Sequence, residues 1–532
     1  MEAKRKAKDS LGVRLGLAVL SSILFRLSFP SPSMIPLAWV ALAPLFWVCV
    51  RATPRRAAVA AGLSGLLVAL LSLPGFRHLT WAAYLAPACV GAVYYAVVGA
   101  GISWASSRRE IPLIIMAPTF WTAYEFLRSV IPVIKFPWLL AGQTQVSWTT
   151  LIQAADLGGV YLLSFLVVLS NAYLASVALA WGERRRREKT IVLGWIPLGL
   201  VLVTLLYGVI RIRSIEVVPG PKVALIQGNV PQAIKMMDDQ GQKMLQEYMQ
   251  LTRRAIQEDP DLIVWPETMY PYAIDPAEMT EFSHPEKKLY LGVRESLLRT
   301  AQGRDISYLI GALRAVGDDM WNSAYLFSPD GTILGRYDKI DLVPLGETIP
   351  FHKAWPALGK FIGKHFLPEG FGSLEPGEKV EIFEIDRHKF AVSICYEISF
   401  PNLAREARAG GADFIVSISN DAWFEDGAEL DLAKDHAIFR AVENRTGIAR
   451  AANTGISSFV DPIGRSEIFT DRGKRKQVAG VLVRRISTSS STTMYTKIGD
   501  LFAWLMVGGS VLILLPVGRL RKTRPGDEGK RA

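Results

Sequence analysis

The chain has 532 residues, of which 50% are hydrophobic, and its formal net charge is +11. Both the length and the hydrophobic content exceed what one soluble domain needs. A single soluble domain is therefore excluded, and we expect a membrane region joined to a separate globular region.

About eight apolar stretches approach the roughly 20 residues that an α-helix needs to cross a bilayer. They lie near residues 11–28, 34–50, 57–74, 81–104, 111–128, 157–181, 191–210 and 500–518. Between the last two stretches, the chain carries most of its Asp and Glu residues and alternates between strand and helix patterns. The sequence predicts a membrane domain of seven spans over 1–212, a globular domain over 213–495, and a last span with a basic tail over 496–532.

Clusters of lysine and arginine predict the orientation, because cytoplasmic loops carry an excess of positive charge. With eight spans, five clusters fall on one side: Lys4 to Lys8, Arg51 to Arg56, Arg108 and Arg109, Arg184 to Lys189, and Arg519 to Arg524. We therefore expect both termini in the cytoplasm and the globular domain on the opposite face. "FRLSFPSPS" lacks a small-x-small cleavage site, so the first span is expected to be retained. The positive charge then belongs to membrane loops, and nucleic-acid binding is not expected.

Cys395 is the lone thiol of the predicted globular domain, since Cys49 and Cys89 fall inside predicted spans. It lies in the apolar run "KFAVSICYEISFP" (389–401) and has no disulfide partner there. A lone thiol outside the cytoplasm is expected to be either buried or chemically used. Free cysteine is also among the most buried residue types, so at this point packing and catalysis both stay open.

The globular region alternates between strand and helix patterns. "PKVALIQGNV" (221–230), "DLIVWPET" (261–268) and "ADFIVSISNDAWF" (412–424) are typical of strands, while "KMLQEYMQLTRRAIQ" (243–257) and "LAKDHAIFRAVENRTG" (432–447) are typical of amphipathic helices. Such alternation predicts an α/β sandwich.

Three reactive side chains each follow a strand or a strand-like segment: Glu267 in "VWPET", Lys339 in "RYDKIDLVPLGE" and Cys395 in "SICYE". Groups at neighbouring strand ends can converge on one site. A free thiol is only a few per cent thiolate at neutral pH. A nucleophilic cysteine therefore needs a base that takes its proton and often a nearby cation that lowers its pKa. Glu267 is the candidate base, and Lys339 is the candidate cation and oxyanion donor.

These residues belong to a wider set of motifs. The motifs are "QGNVPQ" (227–232), "WPET" (265–268), "YDKIDLVPLGETIP" (337–350), "CYE" (395–397), "NDAWF" (420–424), "RAVENRTGIARAANTGISSFVDPIGR" (440–465), "WTAYEFLRS" (121–129) and "FPWLLAGQTQ" (136–145). The order Glu, Lys, Cys in these contexts resembles the carbon-nitrogen hydrolase (nitrilase) superfamily. Together with the spans, the pattern resembles the apolipoprotein N-acyltransferase family over essentially the whole chain.

The resemblance implies a multi-span helical membrane domain with a nitrilase-like αββα sandwich that transfers an acyl group in two half-reactions. Cys395 would attack the sn-1 ester of a phospholipid, and the α-amine of a lipoprotein's N-terminal diacylglyceryl-cysteine would then attack the resulting thioester. Glu267 would act as base, then acid, then base, while Lys339 would hold the oxyanion. The positions implied to support the site or bind substrate are Glu347, Tyr396, Glu397, Asn420 and Trp423.

The resemblance further implies a bacterial inner-membrane enzyme whose catalytic domain is periplasmic. No cofactor is expected, no metal site is suggested because the six histidines show no paired ligand spacing, and a monomer is the default. Structural readings stay open for some positions: Glu347 could cap a turn, Tyr396 could serve in packing, and Asn420 could serve a turn.

The chain departs from the family pattern at a few positions. Asp341 stands where the family often has His, Leu345 stands where it often has Phe, and Met236 and Met237 follow "QGNVPQ" where a Trp is common. The aromatic and basic stretch between Pro350 and Pro376 suits either a loop in the membrane interface or an ordinary packed excursion.

Two other functions compete with acyl transfer. A membrane-anchored amidase or nitrilase would use the same three residues and let water resolve the acyl-enzyme, although an anchor needs only one span. A transporter with an extracellular sensor domain would need polar residues or broken helices at midplane, whereas the predicted spans are poor in charge apart from residues such as Glu125.

Overall fold

The computed structural model describes residues 11–109, 111–132, 135–181, 188, 190–232, 241–270, 274–275, 295, 299, 303–317, 319–349, 355–366 and 374–515. A bundle of apolar helices comes first in the chain, a two-sheet domain follows, and a short apolar helix ends the described part.

The first part of the chain is helical because its long runs of Ala, Leu and Val favour helices. These are α1 (Leu11–Leu27), α2 (Ala43–Arg51), α3 (Pro54–Ser72), α4 (Trp81–Arg108), α5 (Leu113–Val130), α6 (Thr149–Ile152), α7 (Ala155–Ala180) and α8 (Trp195–Ser214).

Within the described residues, four helices are long and apolar enough to cross a membrane, not the eight that the sequence predicted. They are Pro54–Ser72, Trp81–Arg108, Ala155–Ala180 and Thr190–Ser214, and two shorter apolar helices are Ile35–Arg51 and Leu501–Leu514. Helices α1 and α5 occupy two more predicted positions. However, α1 has only 17 residues, and α5 carries the buried charges of Glu125 and Arg128.

Small residues allow α3 and α4 to pack closely, as is common between membrane helices. A Cβ atom added to Gly65 would lie 2.5 Å from the Gly91 carbonyl oxygen, and one added to Gly99 would lie 2.6 Å from Ala61 Cβ. Both contacts are too short for a side chain. The close approach fixes the turn between α3 and α4, which lies against the site described below.

In the described part of the two-sheet domain there are twelve strands: β1 (Val218–Gln227), β2 (Leu262–Val264), β3 (Ser307–Val316), β4 (Asp319–Phe327), β5 (Ile333–Asp338), β6 (Ile382–Ile385), β7 (His388–Ile394), β8 (Phe414–Ser419), β9 (Gly447–Ala452), β10 (Ser458–Val460), β11 (Ser466–Ile468) and β12 (Gly480–Thr488). One sheet has the order β12-β1-β2-β3-β4-β5, and the other has the order β11-β10-β9-β8-β7-β6.

The two sheets pack face to face through apolar side chains such as Leu225, Val264, Phe390 and Val416. Helix α9 (Gly241–Ile256) covers the outer face of the first sheet. Helices α11 (Pro401–Ala409) and α12 (Glu429–Asn444) cover the outer face of the second. The predicted α/β sandwich is confirmed. The remaining helices are α10 (Pro356–Phe366), α13 (Met494–Ile498) and α14 (Leu501–Leu514).

Strand direction brings the reactive residues to one edge of the sandwich. Strands β1, β2 and β3 run parallel, and so do β7, β8 and β9. The carboxyl ends of parallel strands therefore meet at one edge, where ligands commonly bind in α/β proteins. Glu267 follows β2, Cys395 follows β7 and Asn420 follows β8.

A buried charge cluster joins the sandwich to the membrane helices. Asp156 on α7 accepts hydrogen bonds from Arg445 Nη2 at 2.7 Å, Arg211 Nε at 2.8 Å and Tyr207 Oη at 2.6 Å. Asp156 and Arg445 are both almost fully buried. Because Arg445 follows α12 of the sandwich, this cluster fixes the position of α12 relative to the membrane helices α7 and α8.

We expect Asp156→Asn to lower the free energy of unfolding by about 3–5 kcal/mol, because it leaves the buried Arg445 guanidinium without its charge partner. Thermal unfolding in detergent micelles measures the loss. The control is Glu467→Gln, which weakens the exposed Glu467–Arg484 ion pair and should cost less than about 1 kcal/mol. Equal melting temperatures for the two variants would contradict this role for Asp156.

Candidate active site

Glu267 is held by three donors at the end of the short strand β2. It is 5% exposed. Its Oε2 accepts the backbone N–H of Asn420 at 2.7 Å, and its Oε1 accepts Asn322 Nδ2 at 2.6 Å and Lys339 Nζ at 3.3 Å. A carboxylate with this many donors has a fixed orientation, which a general base needs.

Lys339 follows β5 and forms two ion pairs. Its Nζ lies 2.8 Å from Glu347 Oε1 and 3.3 Å from Glu267 Oε1. Burial by itself would lower the pKa of Lys339, but the carboxylates of Glu347 and Glu267, together with Cys395, hold that pKa well above its ordinary value. Lys339 is therefore a permanent cation in the site, and Glu347, whose Oε2 also accepts the Val343 N–H at 2.9 Å, orients it.

Cys395 lies at a sharp turn between a strand and a helix. Strand β7 ends at Ile394, Cys395 opens the 3-10 turn Cys395–Ser399, and helix α11 follows. The φ angle of Cys395 is 55°, a left-handed conformation that is costly for a residue with a side chain. Such a strained turn presents a nucleophile at the end of a sheet.

The thiol of Cys395 is protonated in the resting protein. Burial, and then the nearby Glu267 carboxylate, raise the pKa of Cys395 well above its ordinary value, and the opposing influence of Lys339 is smaller. The sequence expectation that Lys339 would lower this pKa is thus outweighed by burial and by Glu267. Reaction then requires that a base removes the proton as the sulfur attacks.

We expect iodoacetamide to alkylate Cys395 more slowly than free cysteine at pH 7.5, by about tenfold or more, because alkylation needs the thiolate. A raised pKa means that the alkylation rate keeps rising with pH above about 9.5, where the rate of free cysteine levels off. The experiment uses the Cys49→Ala, Cys89→Ala variant, because the chain has 3 cysteines and only Cys395 is to react. Treatment with hydroxylamine beforehand removes any acyl group from Cys395. A rate that levels off below pH 8 would contradict the protonated thiol.

Glu397 connects the cysteine turn to the loop of Lys339. Its Oε2 accepts the Ile394 N–H at 2.7 Å, and its Oε1 accepts the Ile340 N–H at 2.6 Å and Tyr337 Oη at 2.7 Å. Burial raises the pKa of Glu397 to about 7, although the Ile394 N–H and Lys339 oppose the shift. This one carboxyl group therefore sets the distance between Cys395 and Lys339.

The other predicted site residues also lie at this edge of the sandwich. Tyr396 donates its hydroxyl to the Lys135 carbonyl oxygen of the membrane region at 2.7 Å. Asn420 gives its backbone N–H to Glu267 and its side-chain amide to Gln232 at 2.9 Å. Trp423 lines the cavity described below. The structure therefore brings all eight predicted residues to one place, whereas their chemical roles stay predictions.

Two asparagines that sequence reasoning missed complete the arrangement. Asn322 Nδ2 donates to Glu267 and also to Glu347 at 3.0 Å, so it bridges the two carboxylates. Asn453 Nδ2 donates to Asn420 Oδ1 at 3.0 Å and to the Val230 carbonyl oxygen at 2.7 Å. Asn453 lies within the motif 440–465, which was a usable signal. Asn322 begins the stretch "NSAYLFSPDGTILGRYDK" (322–339), whose Asp-Gly turn predicts a hairpin, but nothing in that pattern marks the Asn322 amide as part of the site.

The departures from the family pattern also have structural consequences. Asp341 forms an ion pair with Lys135 at 2.5 Å, which links the Lys339 loop to the membrane region. Leu345 has a φ angle of 63° and lines the cavity. Met236 and Met237 lie outside the described residues. In the aromatic stretch, α10 is described, and Trp355 and Phe361 are 64% and 53% exposed, while Phe351 and Phe371 lie outside the described residues.

A cavity of about 610 Å³ joins these residues to the membrane helices. The sandwich lines it with Glu267, Lys339, Cys395 and their neighbours. The turn after α3 and the first turns of α4 line its other side with Phe76, Leu79, Ala83, Ala86, Pro87 and Val90. The cavity therefore has a charged end at Cys395 and an apolar end at the membrane region. Among the described residues, no group of three or more His, Cys, Asp or Glu side chains could hold a metal ion.

Comparison with known proteins gives matches in both parts of the chain. The family model for the apolipoprotein N-acyltransferase N-terminal domain matches residues 21–173, and the carbon-nitrogen hydrolase model matches residues 222–488. An apolipoprotein N-acyltransferase of Geobacter metallireducens is 33% identical over 511 residues, which cover 93% of this chain and 94% of the relative. The chain belongs to the apolipoprotein N-acyltransferase family.

Further apolipoprotein N-acyltransferases are similar over most of the chain. The relative from Borreliella burgdorferi is 30% identical and covers 73% of this chain and 72% of its own length. The relative from Aquifex aeolicus is 29% identical and covers 67% of this chain and 73% of its own length. Among solved structures, an amidase from Nesterenkonia sp. is 19% identical, covers 55% of this chain and 97% of its own, and has a TM-score of 0.38.

Family membership confirms the resemblance that the motifs indicated. The chain is an acyltransferase, its sandwich is nitrilase-like, and it is a membrane protein with several apolar helices.

Proposed function

We propose that this enzyme N-acylates the N-terminal diacylglyceryl-cysteine of lipoproteins, with a phospholipid as acyl donor and a thioester on Cys395 as intermediate. The observation that carries the proposal is the cavity, which extends from Cys395 to apolar residues of α4. An acyl chain can lie along that apolar wall while its ester carbonyl reaches the thiol.

In the first half-reaction, the Cys395 sulfur attacks the sn-1 ester carbonyl and forms the new carbon-sulfur bond. Glu267 takes the thiol proton. The former carbonyl oxygen of the ester carries the negative charge of the tetrahedral intermediate beside Lys339 Nζ. The carbon-oxygen bond to glycerol then breaks, and Glu267 returns the proton to the departing alkoxide. The products are an acyl-thioester and a lysophospholipid.

In the second half-reaction, the α-amine of the acceptor attacks the thioester. Glu267 takes a proton from the amine as the carbon-nitrogen bond forms, and Lys339 again faces the oxyanion. The carbon-sulfur bond breaks and Cys395 recovers its proton. Amines displace a thiolate more readily than an alkoxide, so a thioester is a suitable intermediate for an amide product.

Four neighbours would position these groups and not react themselves. Glu347 accepts a hydrogen bond from Lys339 Nζ at 2.8 Å, and Asn322 Nδ2 donates to Glu267 at 2.6 Å and to Glu347 at 3.0 Å. Glu397 sets the Lys339 loop against the cysteine turn. Tyr396 contacts the membrane region through Lys135, and it would therefore keep the sandwich aligned with the lipid entrance.

A membrane-anchored amidase is the second candidate, since it would use the same Glu, Lys and Cys and release the acyl group to water. It has no use for a cavity wall contributed by membrane helices. Trp355, just before α10, and Phe361, on α10, are exposed, and Lys360 and Lys364 lie on the same helix. These residues also fit a segment that enters the membrane interface. These features favour a lipid substrate.

The topology is part of the same proposal. We infer eight spans, cytoplasmic termini and a periplasmic sandwich from the Lys and Arg clusters, and a monomer as the working unit. Helix α1, the apolar segment Ile35–Arg51 that includes α2, helix α5 and helix α14 would act as the four additional spans, with the packing of α5 against α7 and α14 compensating for the buried Glu125 and Arg128 of α5.

Mass spectrometry of the Cys395 peptide tests the function. Protein purified from native membranes is expected to carry an acyl group on Cys395 that hydroxylamine removes. A bare thiol that persists after phospholipid is added would favour the amidase alternative and refute the proposed acyl transfer.

A further inference from the structure

Two aromatic side chains meet in the wall of the cavity, one from each part of the chain. Trp138 comes from the membrane region and is 4% exposed, and His436 comes from α12 of the sandwich and is 2% exposed. Their ring centroids are 5.4 Å apart. Both residues line the same cavity as Cys395.

Hydrogen bonds determine which nitrogen of His436 carries the proton. Gln143 Oε1 accepts the Leu140 N–H at 2.9 Å, and Gln143 Nε2 donates to the Pro137 carbonyl oxygen at 2.9 Å. These bonds fix the orientation of the amide. The same Nε2 lies 3.2 Å from His436 Nδ1, so Nδ1 is the acceptor. A neutral imidazole with an accepting Nδ1 carries its hydrogen on Nε2.

Both side chains therefore have an N–H donor without an acceptor. His436 Nε2 and Trp138 Nε1 are buried, and neither has a hydrogen-bond partner among the described residues. Buried donors without partners are rare and cost free energy, about 1–3 kcal/mol each. Because both rings also line the cavity that holds Cys395, a ligand in this cavity can supply the acceptor.

The surroundings define the chemistry of that acceptor. Trp138 packs against Phe76, Phe136 and Phe424, so the wall is apolar. Burial, with Arg440 and Arg450 nearby, lowers the pKa of His436 well below its ordinary value, so the ring is uncharged at neutral pH. Lys135, also on the cavity wall, is already paired with Asp341. Uncharged donors in an apolar wall suit a carbonyl oxygen better than an anion.

We propose that His436 Nε2–H and Trp138 Nε1–H form a binding subsite for the carbonyl oxygen of a non-reacting glycerol ester in the lipid held by the cavity. This inference rests on the proposed function. The same carbonyl chemistry occurs in two lipids, the phospholipid donor and the diacylglyceryl group of the acceptor. The subsite would fix the depth of the glycerol backbone and thus which ester reaches Cys395. His436 and Trp138 are positioning residues, since neither touches the reacting ester.

The test compares a diacyl phospholipid with a 1-acyl-2-alkyl phospholipid, in which an ether replaces only the non-reacting ester. The rate of Cys395 acylation is followed by mass spectrometry. The unmodified enzyme is expected to prefer the diacyl donor by about three- to tenfold, the factor that one hydrogen bond contributes. His436→Phe, which keeps an aromatic ring and removes one of the two N–H groups, is expected to reduce this preference, and the His436→Phe, Trp138→Phe double variant is expected to abolish it.

Trp138→Phe is a second variant, and its preference between the two phospholipids is measured in the same way. Poor folding of one variant therefore does not end the test. A parallel arm starts from acylated enzyme and compares diacyl with dialkyl lipopeptide acceptors in the transfer step. Loss of ester preference in the first arm assigns the subsite to the phospholipid, and loss in the second assigns it to the acceptor. If the variants keep the full preference in both arms, the subsite is wrong. Failure of the unmodified enzyme to form any thioester would instead refute the proposed function.

Discussion

Replacing Glu267 with glutamine is expected to slow formation of the Cys395 thioester by about 10²- to 10⁴-fold, the range that a positioned general base contributes. The effect is large because burial raises the pKa of Cys395, so the sulfur needs a base to take its proton as it attacks. The other carboxylates near the thiol, Asp421 and Glu347, are paired with Arg450 at 2.7 Å and with Lys339 at 2.8 Å. Single-turnover acylation with phospholipid, followed by mass spectrometry, measures the rate.

The substitution keeps the local fold, so the loss can be assigned to chemistry. A glutamine oxygen can still accept the Asn420 N–H, which lies 2.7 Å from Glu267 Oε2. The amide nitrogen would then face the donors of Asn322 and Lys339, which weakens their arrangement without opening a cavity. Glu467→Gln on the exposed surface is the matched control and should leave the rate unchanged. Normal accumulation of the thioester in Glu267→Gln would refute the role of Glu267 as first base.

Cys395→Ser is expected to abolish acyl transfer to the lipoprotein amine, with a loss on the order of 10³-fold or more. A hydroxyl is much harder to deprotonate than a thiol, and the site holds the proton of residue 395 firmly because of its burial. Any acyl group that does form would be an oxygen ester, which amines attack slowly. Product formation is measured as the mass increase of a diacylglyceryl lipopeptide in detergent-lipid mixtures.

Two variants support the interpretation of the serine result. Cys395→Ala removes the nucleophile altogether and should match the serine variant in transfer, while retaining the melting temperature of the unmodified protein. Cys89→Ser, at an exposed thiol on α4, should keep full activity. Transfer by Cys395→Ala at more than about one hundredth of the normal rate would show that Cys395 is not the nucleophile.

Local patterns in the sequence predicted the sandwich and the positions of its reactive residues. Strands that are buried on both faces appear in the sequence as continuous apolar runs, and β2, β7 and β8 were recognisable in this way. Glu267, Cys395 and Asn420 each directly follow one of these runs. Because parallel strands of one domain end at a shared edge, their convergence followed from the order of elements alone.

The number of spans was less predictable, because hydropathy and helix length are different properties. The stretches at 11–28 and 111–128 are apolar enough to suggest spans, yet the described α1 is short and α5 has Glu125 and Arg128 turned into the bundle. A sequence window does not reveal that Glu125 receives hydrogen bonds from Trp121 and from the Ala141 N–H. Those contacts come from the fold.

The sequence by itself determined that the chain has an apolar helical region and an α/β domain, and which Glu, Lys and Cys follow its strands, because these are properties of neighbouring residues. Only the tertiary structure decided what surrounds them. Asn322 bridges two carboxylates, burial outweighs Lys339 in setting the pKa of Cys395, and the unpartnered donors of Trp138 and His436 share one cavity. Each of these features depends on contacts between residues far apart in the chain and on the exclusion of water. Local sequence patterns predict neither the contacts nor the exclusion of water.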